Sequence, residues 1–149
     1  MVLVFVGACG GVEPTVEAES TSNAVSAEVV ANPSQGRYVG TTSQGWSLTL
    51  WVEESEDGLV VSQVQYKIEM RAEGFSVTTE LNTPGSRQMA IDGGYFTGSH
   101  SMGNNTELFS GRFVGEGTVI GDLICTNTHP QGLGTATGEV TFEAFLLAP

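Results

Sequence analysis

Apolar and polar residues alternate along most of the chain after residue 36, with a period of two. The clearest example lies near the carboxyl end. There Ala136, Gly138, Val140, Phe142, Ala144 and Leu146 share one parity, and Thr135, Thr137, Glu139, Thr141 and Glu143 share the other. Because successive side chains of a strand point to opposite faces, this pattern predicts a strand with one buried and one solvated face.

A nine-residue pattern beginning Gly-x-Gly-Thr occurs twice, at 115–123 and 132–140, with a turn-rich segment at 126–132 between the copies. Two such runs around Asn, Pro and Gly predict a terminal β-hairpin. If the hairpin folds about residue 130, Gly121 and Gly138 nearly face each other. Glycine inside a strand indicates either a bend covered by an aromatic ring such as Phe113, or a groove for a ligand.

Two longer segments upstream show the same alternation. In the first, Trp46, Leu48, Leu50 and Val52 are predicted to be core, with Ser47, Thr49, Trp51 and Glu53 on the solvated face. In the second, 59–70, the predicted buried residues are Val60, Val64, Tyr66, Ile68 and Met70. The opposite face is predicted to carry Val61, Gln63, Gln65, Lys67 and Glu69.

Shorter strands are predicted at 37–42, 75–81, 88–91, 94–97 and 106–113, and Asp-Gly and Pro-Gly pairs mark turns between them. The chain shows no long amphipathic helical pattern. About eight or nine strands of this kind are typical of an antiparallel β-sandwich or a small β-barrel. The sequence therefore predicts an all-β domain.

Length and charge limit the functions that the chain could have. The chain has 149 residues, the size of one domain, and a net charge of -12 from 17 acids and five bases. Binding to a phosphate backbone needs Lys and Arg, so nucleic acid is not an expected partner.

The acidic run 53–58 lacks EF-hand spacing and is interpreted as a solvated turn. His100 and His129 lack zinc-ligand spacing. We predict no metal and no cofactor.

The amino terminus has a different character. Residues 1–9 are apolar and end in Val6-Gly7-Ala8-Cys9, a run too short to span a bilayer, which takes about 20 residues. These four residues resemble a bacterial lipobox. The resemblance implies export, cleavage before Cys9 and a lipid on the Cys9 sulfur. Signal peptides begin with basic residues, and none precedes this run, so we predict that the true start codon lies upstream.

Residues 10–35 contain four acids and no base. Such a composition buries too little apolar surface to offset the entropy of ordering, so a flexible tether is predicted, with a short helix over 24–30 as the alternative. The predicted organisation is a signal remnant at 1–8, a lipidated Cys9 and acidic tether at 9–35, and the β-domain at 36–149. The predicted location is the outside of a bacterial membrane.

One motif suggests catalysis. Ser99-His100-Ser101-Met102-Gly103 resembles the nucleophile elbow of α/β-hydrolases, with Ser99 in place of the first glycine. That elbow requires a strand-to-helix turn on a parallel sheet, which the pattern here does not provide. A convergent triad of Ser101, His129 and either Asp122 or Asp92 is the alternative. We interpret 98–105 as a polar loop and predict no enzymatic activity.

Three functional hypotheses remain. The leading one is a lipid-anchored, non-catalytic domain with a binding or envelope-interaction role, in which Trp51, Ser47 and Thr49 form a surface for a carbohydrate or protein partner. The second is a barrel that holds a small apolar ligand, as lipocalin-like or avidin-like proteins do; a cavity of several hundred Å³ would favour it. The third is a hydrolase using Ser101, which requires His129 within hydrogen-bond reach. Cys125 is predicted to be a small buried residue.

Overall fold

The structure is a computed structural model that describes residues 33–83, 88–115, 117–129 and 131–148. The predicted signal remnant, the lipid site at Cys9, the acidic tether up to residue 32 and the Pro84-Gly85 turn lie outside the described residues. No helix in the described ranges is long and apolar enough to cross a membrane.

The described residues form an all-β fold, as predicted, with nine strands and no helix. The strands are β1 Gly36–Thr42, β2 Ser47–Ser55, β3 Gly58–Ala72, β4 Phe75–Thr83, β5 Met89–Ala90, β6 Tyr95–Met102, β7 Asn105–Val114, β8 Thr118–Thr128 and β9 Thr135–Leu146. All pairings between strands are antiparallel.

The strands form one sheet in the order β4-β3-β2-β1-β9-β8-β7-β6, and β5 pairs with β3. A further pairing between Arg71 of β3 and Thr137 of β9 partly closes this sheet into a ring. The closure depends on Gly138, because a Cβ there would lie 2.7 Å from the carbonyl oxygen of Glu69. The interior is filled by one cluster of buried side chains drawn from all nine strands.

The terminal hairpin is confirmed, and its second strand, β9, alternates buried and exposed residues as predicted. Its register differs from the prediction. Thr128 pairs with Thr135, so Gly121 faces Phe142, and Gly138 faces Cys125. The ring that covers Gly121 on the inner side belongs to Phe142, not Phe113. The loop is centred between residues 131 and 132, not at residue 130, which moves every partner along the ladder.

The predicted inner face of β3 is wrong at its start. The pairing with β2 passes from Trp51–Gln63 to Val52–Val61, which leaves Ser62 as an extra residue in a β-bulge. The Ser62 hydroxyl donates to the Trp51 carbonyl at 3.5 Å. A bulge reverses the alternation, so Val61 joins the core while Val60 is buried on the opposite face.

The prediction for Trp46 is also wrong. Trp46 precedes β2 and is half-buried, whereas Leu48, Leu50 and Val52 are core as predicted. The Lys67 ammonium lies 3.7 Å from the Trp46 ring centroid, a cation–π contact. The alternation in sequence extended one residue beyond the strand, and the ring packs on the polar side of β3.

Candidate functional site

The ring has an incomplete region between β5 and β6, which we call the seam. In the described residues, β6 is hydrogen-bonded along its length only to β7, while β5 pairs with β3. A pocket of about 330 Å³ lies at the seam. Ligand pockets in proteins range from about 300 to 1,000 Å³, so the seam pocket is large enough for a small molecule.

The seam pocket has an apolar and a polar part. Val64, Met89 and Phe109 supply the apolar part. The polar part consists of Tyr66 of β3, His100 of β6, Glu107 of β7 and Gln88, which precedes β5. Polar groups that converge on a cavity beside apolar side chains can fix the orientation of a small molecule.

Register explains how the polar groups meet. Across β6, β7 and β8, His100 pairs with Glu107, and Glu107 pairs with Cys125. Directly opposite residues of an antiparallel ladder have Cβ atoms about 5 Å apart on the same face. These three side chains therefore form a row facing the interior, and Tyr66 reaches the same row from β3, with its hydroxyl 3.5 Å from the Cys125 sulfur.

Tyr66 is held as a neutral phenol. Its ring is 3% exposed and stacks on Phe109, with centroids 6.4 Å apart and an interplanar angle of 13°. Burial raises the pKa of the Tyr66 hydroxyl well above its ordinary value, and the neighbouring Cys125 and Glu107 raise it further. Over the physiological pH range this hydroxyl therefore keeps its proton and is hydrogen-bonded to Cys125 and Glu107, and its oxygen can also accept a hydrogen bond.

Glu107 is the most unusual residue of the site, because a carboxylate is only 3% exposed at a position between core residues. Moving a charged group out of water is costly unless other groups compensate for the lost hydration. Glu107 belongs to none of the motifs that suggested a site in the sequence. Its position in the alternation nevertheless indicated that it faces inward, since Glu107 lies on the same face of β7 as the core residues Phe109 and Phe113.

The predicted Trp51 surface is only partly present. Thr49 was predicted on the solvated face but is 7% exposed, so its hydroxyl is not an accessible ligand group. Trp51 is half-buried, and the Arg37 guanidinium carbon lies 5.6 Å from its ring centroid. Ser47 is exposed. The structure therefore leaves a smaller free surface here than the sequence predicted.

The predicted loop at 98–105 is wrong, because β6 continues to Met102 and β7 begins at Asn105. Ser101 thus lies within an antiparallel strand, not at a strand-to-helix elbow. It pairs with Thr106, and the two hydroxyl oxygens are 3.3 Å apart.

The candidate triad residues do not converge. Ser101 pairs with Thr106 of β7, which pairs with Thr126 of β8. Ser101 and Thr126 are therefore about 10 Å apart, and His129 lies further along the chain. The His129 Nδ1 accepts a hydrogen bond from the Gln131 amide at 3.2 Å, and its ring contacts Phe75 edge-on. Asp122 lies seven residues from His129, or about 20 Å along an extended chain. Asp92 lies at the turn before β6, at the far end of that strand from Ser101.

Both Gly-x-Gly segments lead directly into strands, β8 and β9, so neither provides the helix amino terminus that typically binds phosphate. The acidic run 53–58 forms the β2–β3 hairpin, in which Ser55 pairs with Gly58. Among the described residues, no three His, Cys, Asp or Glu side chains are grouped so that they could hold a metal ion.

Comparison with protein-family models, with curated proteins and with solved structures gave no match.

Proposed function

We propose that this domain binds a small amphipathic molecule in the seam pocket and does not act as a catalyst. The observation that carries this proposal is the location of a buried carboxylate, Glu107, and a buried phenol, Tyr66, on the wall of a 330 Å³ cavity. Most other buried side chains belong to one apolar cluster. Polar groups that face a cavity can select a ligand by its hydrogen-bonding groups.

The composition of the cavity indicates the ligand. Val64, Met89 and Phe109 would contact an apolar body, while Glu107 and Tyr66 would accept hydrogen bonds from donor groups at its other end. The net charge of -12 disfavours an anionic ligand. A neutral molecule with an aromatic body and an N–H donor satisfies these requirements.

A fluorescence titration with N-phenyl-1-naphthylamine, a neutral aromatic amine, tests the proposal. We expect saturable binding with a fluorescence increase. Glu107→Gln should weaken binding about tenfold, since a donor-carrying amide replaces an acceptor at one oxygen, a loss of about 1.4 kcal/mol. Val64→Phe, which fills the cavity, should abolish binding. Glu139→Gln is the matched control, because it removes the same charge from an exposed position on β9.

Equal binding by the wild type and Val64→Phe would show that the probe attaches elsewhere, and the proposal would be wrong. Absence of saturable fluorescence in the wild type would contradict it as well. Circular dichroism on each variant verifies that the fold is retained.

We further propose that the domain acts outside a bacterial membrane, anchored by a lipid on Cys9. The support is the sequence Val6-Gly7-Ala8-Cys9 followed by the acidic segment 10–35. Radioactive palmitate should label the full-length protein in a bacterial host and fail to label Cys9→Ala. Equal labelling of the two proteins, or of neither, would refute the anchor without affecting the proposal for the pocket.

A further inference from the structure

A second concavity lies on the outer face of the sheet, away from the core. It is an open groove of about 1180 Å³ that crosses β1, β9, β8, β7 and β6. We call it the outer groove. Five neighbouring strands span about 19 Å at the usual spacing of about 4.8 Å, so the outer groove suits an extended molecule better than a compact one.

The floor of the outer groove is peptide backbone. Register aligns one row of residues across the five strands, namely Thr42, Phe142, Gly121, Gly111 and Phe96. The side chains in this row face the core, and the two glycines at its centre have none. The rings of Phe96 and Phe142 lie against the inner side of Gly111 and Gly121; a Cβ on Gly111 would lie 2.5 Å from Phe96 Cζ.

The neighbouring rows point outward and form two walls rich in hydrogen-bonding groups. Hydroxyls come from Thr41, Thr97, Ser110 and Thr141. Hydroxyl oxygens both donate and accept hydrogen bonds, so these walls match a ligand that presents many hydroxyl groups. The register places Ser110 between Thr97 and Asp122, with Thr141 next to Asp122, which makes one wall continuous.

The charged and aromatic groups narrow the ligand class further. Among the described residues, Asp92, Asp122 and Glu143 line the outer groove together with one cation, Arg112, which disfavours anionic glycans and nucleic acid. At one end the Tyr95 ring is 51% exposed. An exposed aromatic ring stacks on the apolar face of a sugar, and carboxylates accept hydrogen bonds from sugar hydroxyls.

We propose that the outer groove binds a neutral oligosaccharide along the row of Gly111 and Gly121. In this arrangement Tyr95 stacks on one sugar ring, and Asp122 and Glu143 accept hydrogen bonds from hydroxyls further along. This site is separate from the seam pocket, and the inference does not depend on the function proposed for that pocket.

Isothermal titration of the full chain with cellohexaose, maltohexaose and N-acetylchitohexaose tests this inference. We expect at least one hexasaccharide to bind. Tyr95→Ala and Asp122→Ala should each weaken that binding at least tenfold. Phe145→Ala is the matched control, because it removes a ring that is 52% exposed on β9 but does not line the outer groove; its affinity should equal that of the wild type. Val64→Phe, which blocks the seam pocket, should also bind normally.

Failure of all three hexasaccharides to bind would overturn the proposal. So would equal losses in Tyr95→Ala and Phe145→Ala, since the effect would then not be specific to the outer groove. Hexalysine is titrated in parallel, because the three carboxylates would also attract a basic peptide. If hexalysine binds and no saccharide does, the ligand of the outer groove is a cationic peptide and the oligosaccharide proposal is wrong.

Discussion

Two regions of this sheet differ in how completely their strands are paired and in what fills the interior beside them. The first, which we call the wall, comprises β1, β2 and β9, each hydrogen-bonded on both sides. Its inward residues Tyr38, Leu48, Leu50 and Ala144 are fully buried. The second is the seam, where β6 lacks a second ladder in the described residues and where Glu107 and His100 line a cavity. Continuous pairing thus accompanies a filled apolar interior, and interrupted pairing accompanies a polar cavity.

The comparison indicates where the fold tolerates change. In the wall, backbones approach each other closely and side chains have no space to move. At the seam, the side chain of Met89 lies against Gly98 of β6. Protein interiors are generally close-packed, and in the described residues the cavity lies beside the strand that lacks a second ladder.

The largest contrast is expected from the same substitution at two glycines. Gly40→Ala in the wall would place its Cβ against the carbonyl oxygen of Glu143, a backbone atom. Gly98→Ala at the seam would meet only the side chain of Met89, 2.6 Å away. We expect Gly40→Ala to lower the free energy of unfolding by more than about 4 kcal/mol, and Gly98→Ala by about 1 kcal/mol.

Urea unfolding monitored by tryptophan fluorescence measures both values. Neither glycine has a positive φ angle, so loss of a left-handed backbone conformation does not confuse the result. Equal costs at the two positions would contradict the distinction between wall and seam.

A smaller contrast is expected from truncating core side chains. Leu50→Ala removes a fully buried wall residue and should cost about 4 kcal/mol, because the surrounding residues cannot collapse into the space. Met89→Ala borders the seam pocket and should cost about 2 kcal/mol, since it enlarges a space that is already open. Thermal unfolding checks the order, and a larger loss for Met89→Ala would reverse our interpretation.

The smallest effect concerns alkaline pH. Burial, with Cys125 and Glu107, raises the pKa of Tyr66 in the folded protein, whereas an unfolded tyrosine titrates near about 10. Below pH 10 both states keep the proton, so this contribution to stability is complete. Above pH 10 only the unfolded state releases it, and the free energy of unfolding falls by about 1.4 kcal/mol per pH unit.

Tyr66→Phe should therefore flatten the alkaline decline of stability by this slope. Tyr38→Phe provides the comparison in the wall, where burial also raises the pKa of the tyrosine. This variant should flatten the alkaline decline of stability as well, but less than Tyr66→Phe does. Chemical denaturation between pH 9 and 12 measures the slopes. An unchanged slope in Tyr66→Phe would show that the phenol is not protected as we infer.

Much of the fold was predictable from local alternation. The buried face of β9 and the core residues Leu48, Leu50 and Val52 follow directly from a period of two. The errors have a common physical origin. The bulge at Ser62 depends on how β3 pairs with β2, and the hairpin register depends on which residues the loop is centred on. Neither is a property of a single segment.

The seam pocket was beyond local reasoning because it combines Tyr66 of β3, Met89 of β5 and Glu107 of β7. Only the complete ring brings these strands together. Glu107 alone carried a local signal, since an acid in phase with core aromatics is a sequence feature. Alternation predicted its direction, but its chemical surroundings depend on long-range pairing.

The pairing of Arg71 with Thr137 has a consequence for the folding rate. These residues are 66 positions apart in the sequence, whereas the ladders between consecutive strands from β6 to β9 join near neighbours. Contacts between distant residues form slowly, because the intervening chain must first lose its freedom. The meander from β6 to β9 is therefore expected to assemble early, and the pairings of β9 with β3 and with β1, which join residues 66 to 108 positions apart, to form last and limit the speed of refolding.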